Sequence, residues 1–345
     1  MPRPPVFRNY ALLAIVVGAT LSLLAPSALA GSASAGPATT GTALHWSLLT
    51  PSPAPSARAW VTMADDPSDG YVVLYGGYNA YTGIYPDTWT YSAGNWTQLA
   101  QNTTPGGAIG LTLAYDPALH GVLTFGGQYA APQTWLFKSG NWSQIVTKTA
   151  PPARFGYAMA YDAYDHEMVM FGGQAGNNTN VFLSDTWVFN GTDWARVPGY
   201  HHPTGRIGAS MVYDAALQSV LLVGGRNTSY GVGETGTWAF QNGTWNWLYG
   251  AHTPAPRNFP YLTTLGNGTP VMYGGTTPNG ATYYDGTWEF YGAAWHHVYA
   301  KNLPSGRNDG AITYDASDGY VLMFGGSIPT SSGYHTYTAQ TWTLQ

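Results

Sequence analysis

Six times along the chain a continuous apolar run stops at a Gly-Gly pair: VVLYGG, VLTFGG, MVMFGG, LLVGG, PVMYGG and VLMFGG, with first glycines Gly76, Gly126, Gly172, Gly224, Gly274 and Gly325. Runs that are apolar throughout, rather than alternating, predict strands covered on both faces. The pairs recur every 46 to 52 residues, which marks a stack or ring of like units. A tryptophan follows each pair, at Trp89, Trp135, Trp187, Trp238, Trp288 and Trp342, mostly within Thr-Trp-x-aromatic. A second follows seven residues later, at Trp96, Trp142, Trp194, Trp245 and Trp295. Twelve residues beyond each of these stands Arg154, Arg206, Arg257 or Arg307, with Ala108 in the first interval.

Each unit reads as four strands. Strand a follows the arginine and ends near Tyr-Asp, strand b ends at Gly-Gly, strand c holds the first tryptophan and strand d the second. The links are short enough for an antiparallel meander, so the unit is a propeller blade. The sixth unit has Arg307, Gly325 and Trp342, but the sequence stops at Gln345, before a second tryptophan. His45-Trp46-Ser47-Leu48-Leu49 matches strand d, and Trp46 precedes Arg58 by the same twelve residues. The expectation is an all-β, six-bladed β-propeller over residues 44–345, its last blade closed by the N-terminal strand. Closure removes the exposed edges that an open array would leave. Twelve of the fourteen tryptophans fall on the two repeat positions, which predicts packing between blades.

The Gly-Gly pair ending strand b, the aromatic in strand c and the tryptophan in strand d together resemble the kelch repeat over residues 44–345. The resemblance implies a kelch-type scaffold like the central domain of galactose oxidase. It implies little about activity, because kelch propellers serve many functions. The copper site of galactose oxidase needs a tyrosine cross-linked to a cysteine. This chain has no cysteine, so no such cofactor is expected, and no other is implied. In the substrate-adaptor kelch proteins, arginines at the start of strand a contact acidic peptides; here the resemblance extends to position alone.

Residues 1–30 stand apart. Arg3 and Arg8 precede an apolar run from about Tyr10 to Ala25, then Ala28-Leu29-Ala30. That order predicts a signal peptide cleaved after Ala30; an uncleaved anchor is the alternative. Residues 31–43 are small and polar and read as a flexible linker. Cleavage would leave an exported protein with no membrane span, secreted or held at the cell surface. Without cysteine, a large core rather than disulfides must hold the fold. The net charge is −5 with no basic run, so nucleic acid is not an expected partner. Eight Asn-x-Ser/Thr sequons, at Asn95, Asn102, Asn141, Asn177, Asn190, Asn227, Asn242 and Asn267, are candidate glycosylation sites. At Asn190 and Asn242 the following glycine equally well predicts a tight hairpin turn.

Alternating strand directions place the d–a links and b–c loops on one face, here called upper. With strand a nearest the axis, Arg58, Arg154, Arg206, Arg257 and Arg307 are expected around the upper mouth of the channel. Ten Lys and Arg follow residue 30, and these are five of them. Two readings follow: guanidinium forks for an anionic or polyhydroxyl ligand, or buried clamps between blades, since buried charge must be paired. The b–c loops are rich in Tyr, Asn and Gly, a composition suited to rigid aromatic contacts and adaptable hydrogen bonds. Tyr81, Tyr129, Tyr230, Tyr284 and Tyr337 are the candidate contacts for an extracellular glycan or protein ligand. The alternative is a carbohydrate-active hydrolase, lyase or epimerase, for which Glu234 and Asp285 are the best carboxylate pair. Asp66, Asp116, Asp162, Asp214 and Asp315 repeat with the blades in a–b turns and are expected to be structural. No metal site is expected: His201-His202 and His296-His297 are adjacent on the chain, so each pair points to opposite faces of a strand.

Overall fold

A computed structural model describes residues 44–107, 109–176, 180–199, 201–227, 236–249, 253–331 and 335–345. Six four-stranded antiparallel sheets are arranged in a ring, a six-bladed β-propeller. The first blade comprises Thr62–Asp66, Tyr71–Tyr75, Thr88–Ser92 and Asn95–Leu99, from the axis outward. The innermost strands of successive blades touch all the way round. In the sixth blade Ala311–Asp315, Tyr320–Phe324 and Thr341–Leu344 are followed outward by Trp46–Leu49. Trp46 lies opposite Leu344 and Leu49 opposite Thr341, so the first described strand completes the last blade. The signal and linker assignments at residues 1–43, and Ala108, Asn177, Tyr230 and Glu234, lie outside the described residues.

The apolar runs are unbroken because strand b is covered on both flanks: Val72, Val73, Leu74 and Tyr75 are all inaccessible. Six apolar clusters result, each shared by two neighbouring blades. The strand-d tryptophans key these interfaces. Each donates its indole N–H to the hydroxyl of the Thr that precedes the strand-c tryptophan of the blade before. The pairs run from Trp46 to Thr287, Trp96 to Thr341, Trp142 to Thr88, Trp194 to Thr134, Trp245 to Thr186 and Trp295 to Thr237, at 2.8–3.2 Å. Five of the six indoles pack on the aromatic ending the neighbour's strand b, as with Trp142 on Tyr75, at 5.2 Å between centroids, and Trp295 shares its cluster with Val223. Burying the ring drives the contact, while the hydroxyl spares the indole N–H the cost of burial without a partner.

Two b–c loops form small two-stranded ribbons, Tyr78–Asn79 with Gly83–Ile84 and Ser327–Pro329 with His335–Tyr337, and in the third blade Gln174–Ala175 of the b–c loop pairs with Arg154–Phe155 ahead of the inner strand. The Tyr-Asp carboxylates close the a–b turns at the opposite end. Asp162, for example, accepts from the amides of Tyr164 and Asp165 at 2.9 and 3.2 Å.

Candidate functional site

The five arginines lead into the inner strands at the expected place, but their guanidinium groups do not face the mouth. All five are 0–3% exposed. The carbonyl of each accepts from the second glycine of the preceding blade's pair, as in Gly173 to Arg206 and Gly326 to Arg58, both at 2.8 Å. The side chains of Arg58, Arg154, Arg206 and Arg257 turn back to the first glycine's carbonyl in their own blade, at 2.9–3.2 Å. One residue thus ties two blades. The second glycine is needed for the close approach: a Cβ at Gly77, whose φ is +111°, would lie 2.8 Å from Cδ of Arg58.

The remaining guanidinium contacts differ by blade. Arg154 grips both oxygens of Asp185 at 2.8 Å, and Arg58 grips Asp87 in the same two-pronged way. Arg307 donates to Gln340 at 2.7 Å. Arg257 lies 4.5 Å from the ring centroid of Tyr284, and burial pushes its pKa down to about 10. The arginines are clamps, and the geometry gives the ligand-fork reading no support. Asp87 and Asp185 are their counter-ions. Burial alone would raise the Asp185 carboxyl, but the bonds and charge of Arg154 hold it below the usual range.

The mouth itself is built two residues further on. Trp60, Gly110, Gly156, Gly208, Phe259 and Asp309 occupy equivalent places in the six blades, all with φ between +51° and +70°. Their backbones link blade to blade: Gly156 donates to Gly110 at 2.7 Å, Gly208 to Gly156 at 3.0 Å, Phe259 to Gly208 at 2.8 Å, and Trp60 to Asp309. Glycine adopts this conformation without strain; Trp60, Phe259 and Asp309 hold it despite their side chains. The Trp60 indole meets Phe259 at 4.7 Å and Phe155 at 6.5 Å. It therefore reaches from the first blade towards the third and fifth. A Cβ at Gly208 would lie 2.5 Å from the Phe259 ring, so glycine there makes room for it. Around and below these residues lies an axial cavity of about 180 Å³.

The tyrosines of the b–c loops are partly where expected. Tyr81 and Tyr129 are 82% and 63% exposed. Tyr337 is half-buried and meets Tyr78 and Tyr81 edge-on, each at 6.4 Å. Tyr284 instead packs on Arg257 and belongs to the clamp. Asp285 is exposed before strand c of the fifth blade. Asn95, Asn102, Asn141, Asn190, Asn242 and Asn267 are exposed and Asn227 is half-buried. Asn190 also orders its own turn, accepting from the amides of Thr192 and Asp193 at 3.0 and 2.9 Å. Among the described residues no three His, Asp or Glu converge as metal ligands.

Sequence periodicity missed a second aromatic feature, on the fourth and fifth blades. There Gly236 and Gly286 stand where Asp87 and Asp185 stand in the first and third. In the fourth blade Trp238 meets Trp247 at 5.0 Å, and Trp247 meets Tyr249 at 6.2 Å. In the fifth, Trp288 meets His297 at 4.9 Å, and His297 meets Tyr299 at 4.8 Å. Tyr249 and Tyr299 are 93% and 87% exposed. A Cβ at Gly236 would lie 2.3 Å from the Trp247 ring, so losing the carboxylate and gaining the ring are one change. Each strip ends where strand d turns back towards the mouth. The available signal was that Trp60 and Trp247 are the two tryptophans off the repeat positions.

Several buried carboxyls carry raised pKa values. Asp65 is pushed up to about 7 by burial and the nearby Asp315 carboxyl, Asp66 to about 6 by burial and Asp69, and Asp309 to about 7 by burial, partly offset by Arg226. A raised folded-state pKa means that the folded chain holds more protons than the unfolded one between about pH 4 and 7. Stability from these groups is therefore full at the acid end of that window and lost as pH rises through 7. The expected result is a melting temperature lower at pH 8 than at pH 5.5, read by scanning calorimetry; a rise over that interval would contradict it. Below the ordinary carboxylate range the trend reverses, as Asp185 protonates and its clamp fails.

No protein-family model matches the chain, and no curated protein matches it.

Proposed function

We propose that this chain is an exported kelch-type recognition module that binds a neutral glycan through exposed aromatic rings on the loop-bearing face and its rim. The paired strips on the fourth and fifth blades carry the proposal. The ring faces of a pyranose present C–H groups while its hydroxyls point outward, so it stacks on aromatic surfaces whose surroundings are polar. Tyr and Trp suit such a contact, with an apolar body and a polar handle. Tyr249 and Tyr299 stand almost fully exposed, each backed by a second ring that fixes its place. On strand d of the fourth blade the neighbouring positions Thr244 and Asn246 are polar and uncharged, while in the fifth Glu289 lies opposite His296. The signal-like first 30 residues support an extracellular setting.

The test is titration of neutral oligosaccharides, chosen from a glycan array, into the wild type and the double variant Trp247→Ala/Tyr249→Ala. The expected outcome is at least a tenfold loss of affinity, with a melting temperature changed by no more than a few degrees, because one ring is half-buried and the other exposed. Undiminished binding to the variant would remove the strips from the site.

A further inference from the structure

The axial cavity has features that neither the repeat nor the glycan reading uses. Its volume of about 180 Å³ is room for about six waters at ~30 Å³ each, or a ligand group of comparable size. Three blades turn the chain at the mouth with glycine. The other three hold Trp60, Phe259 and Asp309 at φ 55°, 51° and 58°, a region that bulky residues rarely occupy. Three glycines show that the turn itself needs no side chain there, so the strain marks these three as candidates for function.

The three side chains form one chemical environment. Trp60 and Phe259 meet at 4.7 Å with planes 67° apart, and Asp309 lines the same cavity. Oδ1 of Asp309 is shut off from solvent and accepts no hydrogen bond. A buried acceptor in that state is costly, and a turn of the carboxyl group that brings it to a ligand's donor in the cavity removes the cost. Aromatic faces beside a carboxylate favour an organic cation, whose N–H groups reach the oxygen while its methylenes lie against the rings. Charged and titratable groups also face the carboxyl from other elements. Arg226 acts from the fourth blade, Tyr261 and Tyr283 from the fifth, and Tyr337 from the sixth. Arg226 engages other groups as well.

We propose that the axial cavity is a binding site for a primary alkylammonium group, held by Asp309 and flanked by Trp60 and Phe259. The site is independent of the aromatic strips and of the glycan reading. Binding requires the ionised carboxylate, so the ligand displaces a proton from the fraction of molecules that carry one.

The experiment is calorimetric titration of n-pentylammonium and of uncharged 1-pentanol into the full chain at pH 6 and pH 8. With Asp309 titrating at about 7, its ionised fraction rises from about a tenth to about nine-tenths over that interval. The expected affinity for pentylammonium therefore rises about tenfold, with pentanol at least ~10-fold weaker at pH 8. Asp309→Asn should abolish the pH dependence and weaken binding at least ~10-fold at pH 8. Trp60→Gly, which the left-handed backbone accepts as three other blades do, should weaken binding while keeping the pH dependence. It carries the test should the Asn variant not fold. No pentylammonium binding at millimolar concentration, equal binding of pentanol, or pH-independent binding to the wild type would each overturn the proposal.

Discussion

Removing residues 44–49 will abolish cooperative unfolding of the chain. Trp46–Leu49 is the outermost strand of the sixth blade, and without it Thr341–Leu344 becomes an unprotected edge, open to pairing with other chains. The fifth–sixth blade interface also loses its key. Trp46 is fully buried, donates to Thr287 at 3.2 Å and packs on Tyr273 at 4.9 Å. A ring cannot lose one interface quietly, because each blade is held from both flanks. The milder Trp46→Ala should cost about 3–5 kcal/mol, the usual range for emptying a buried aromatic site. Urea unfolding followed by fluorescence reads both. A truncated chain that still unfolds in one sharp transition at the wild-type midpoint would refute the closure.

Arg154→Ala should destabilise the fold by about 3–5 kcal/mol, as expected when a buried ion pair loses one partner. The loss would take this donor from the Gly172 and Pro152 carbonyls and leave the Asp185 carboxylate with the Trp187 indole N–H at 2.7 Å but no counter-charge. Removing both charges is the informative control. Arg154→Met with Asp185→Leu should recover part of the loss, because a buried pair replaced by apolar groups is often tolerated. If Arg154→Ala instead left stability intact and removed ligand binding, the arginines would be a ligand surface after all. Lys at this position would not substitute, since it cannot supply the fork.

What the sequence made legible was whatever repeats. Blade number, strand order and closure all followed from constant offsets between Gly-Gly, Trp, Trp and Arg. The direction of a side chain was harder to read. The offset from Trp46 to Arg58 puts the arginine at the mouth, but its guanidinium turns away from the axis into its own blade, towards Gly76 and Asp87. A signal did exist: Asp87 and Asp185 follow Arg58 and Arg154 by 29 and 31 residues, and Gly236 and Gly286 break the pattern. The Thr before each strand-c tryptophan was equally regular, but a hydroxyl that receives a tryptophan from the next blade leaves no local trace.

The candidate site was nearly invisible for the converse reason. Trp60, Phe259, Asp309, Trp247 and Tyr249 are departures from the six-fold pattern, and a reading that averages over the repeat discards them. Symmetric positions build the scaffold, and the proposed sites lie in the blades that differ. Loop composition places Tyr81 and Tyr337 on the b–c loops, as the structure does, and Tyr284 shows the limit of that signal: its ring serves the Arg257 clamp.

Hydroxyl-radical footprinting of the aromatic side chains, with and without a saturating oligosaccharide, tests the central claim most directly. The account predicts protection of Trp247, Tyr249 and Tyr299, with Trp142 and Trp194 silent in both states because they are buried between blades. Protection confined to the c–d hairpins on the opposite face, with those three rings unchanged, would contradict it.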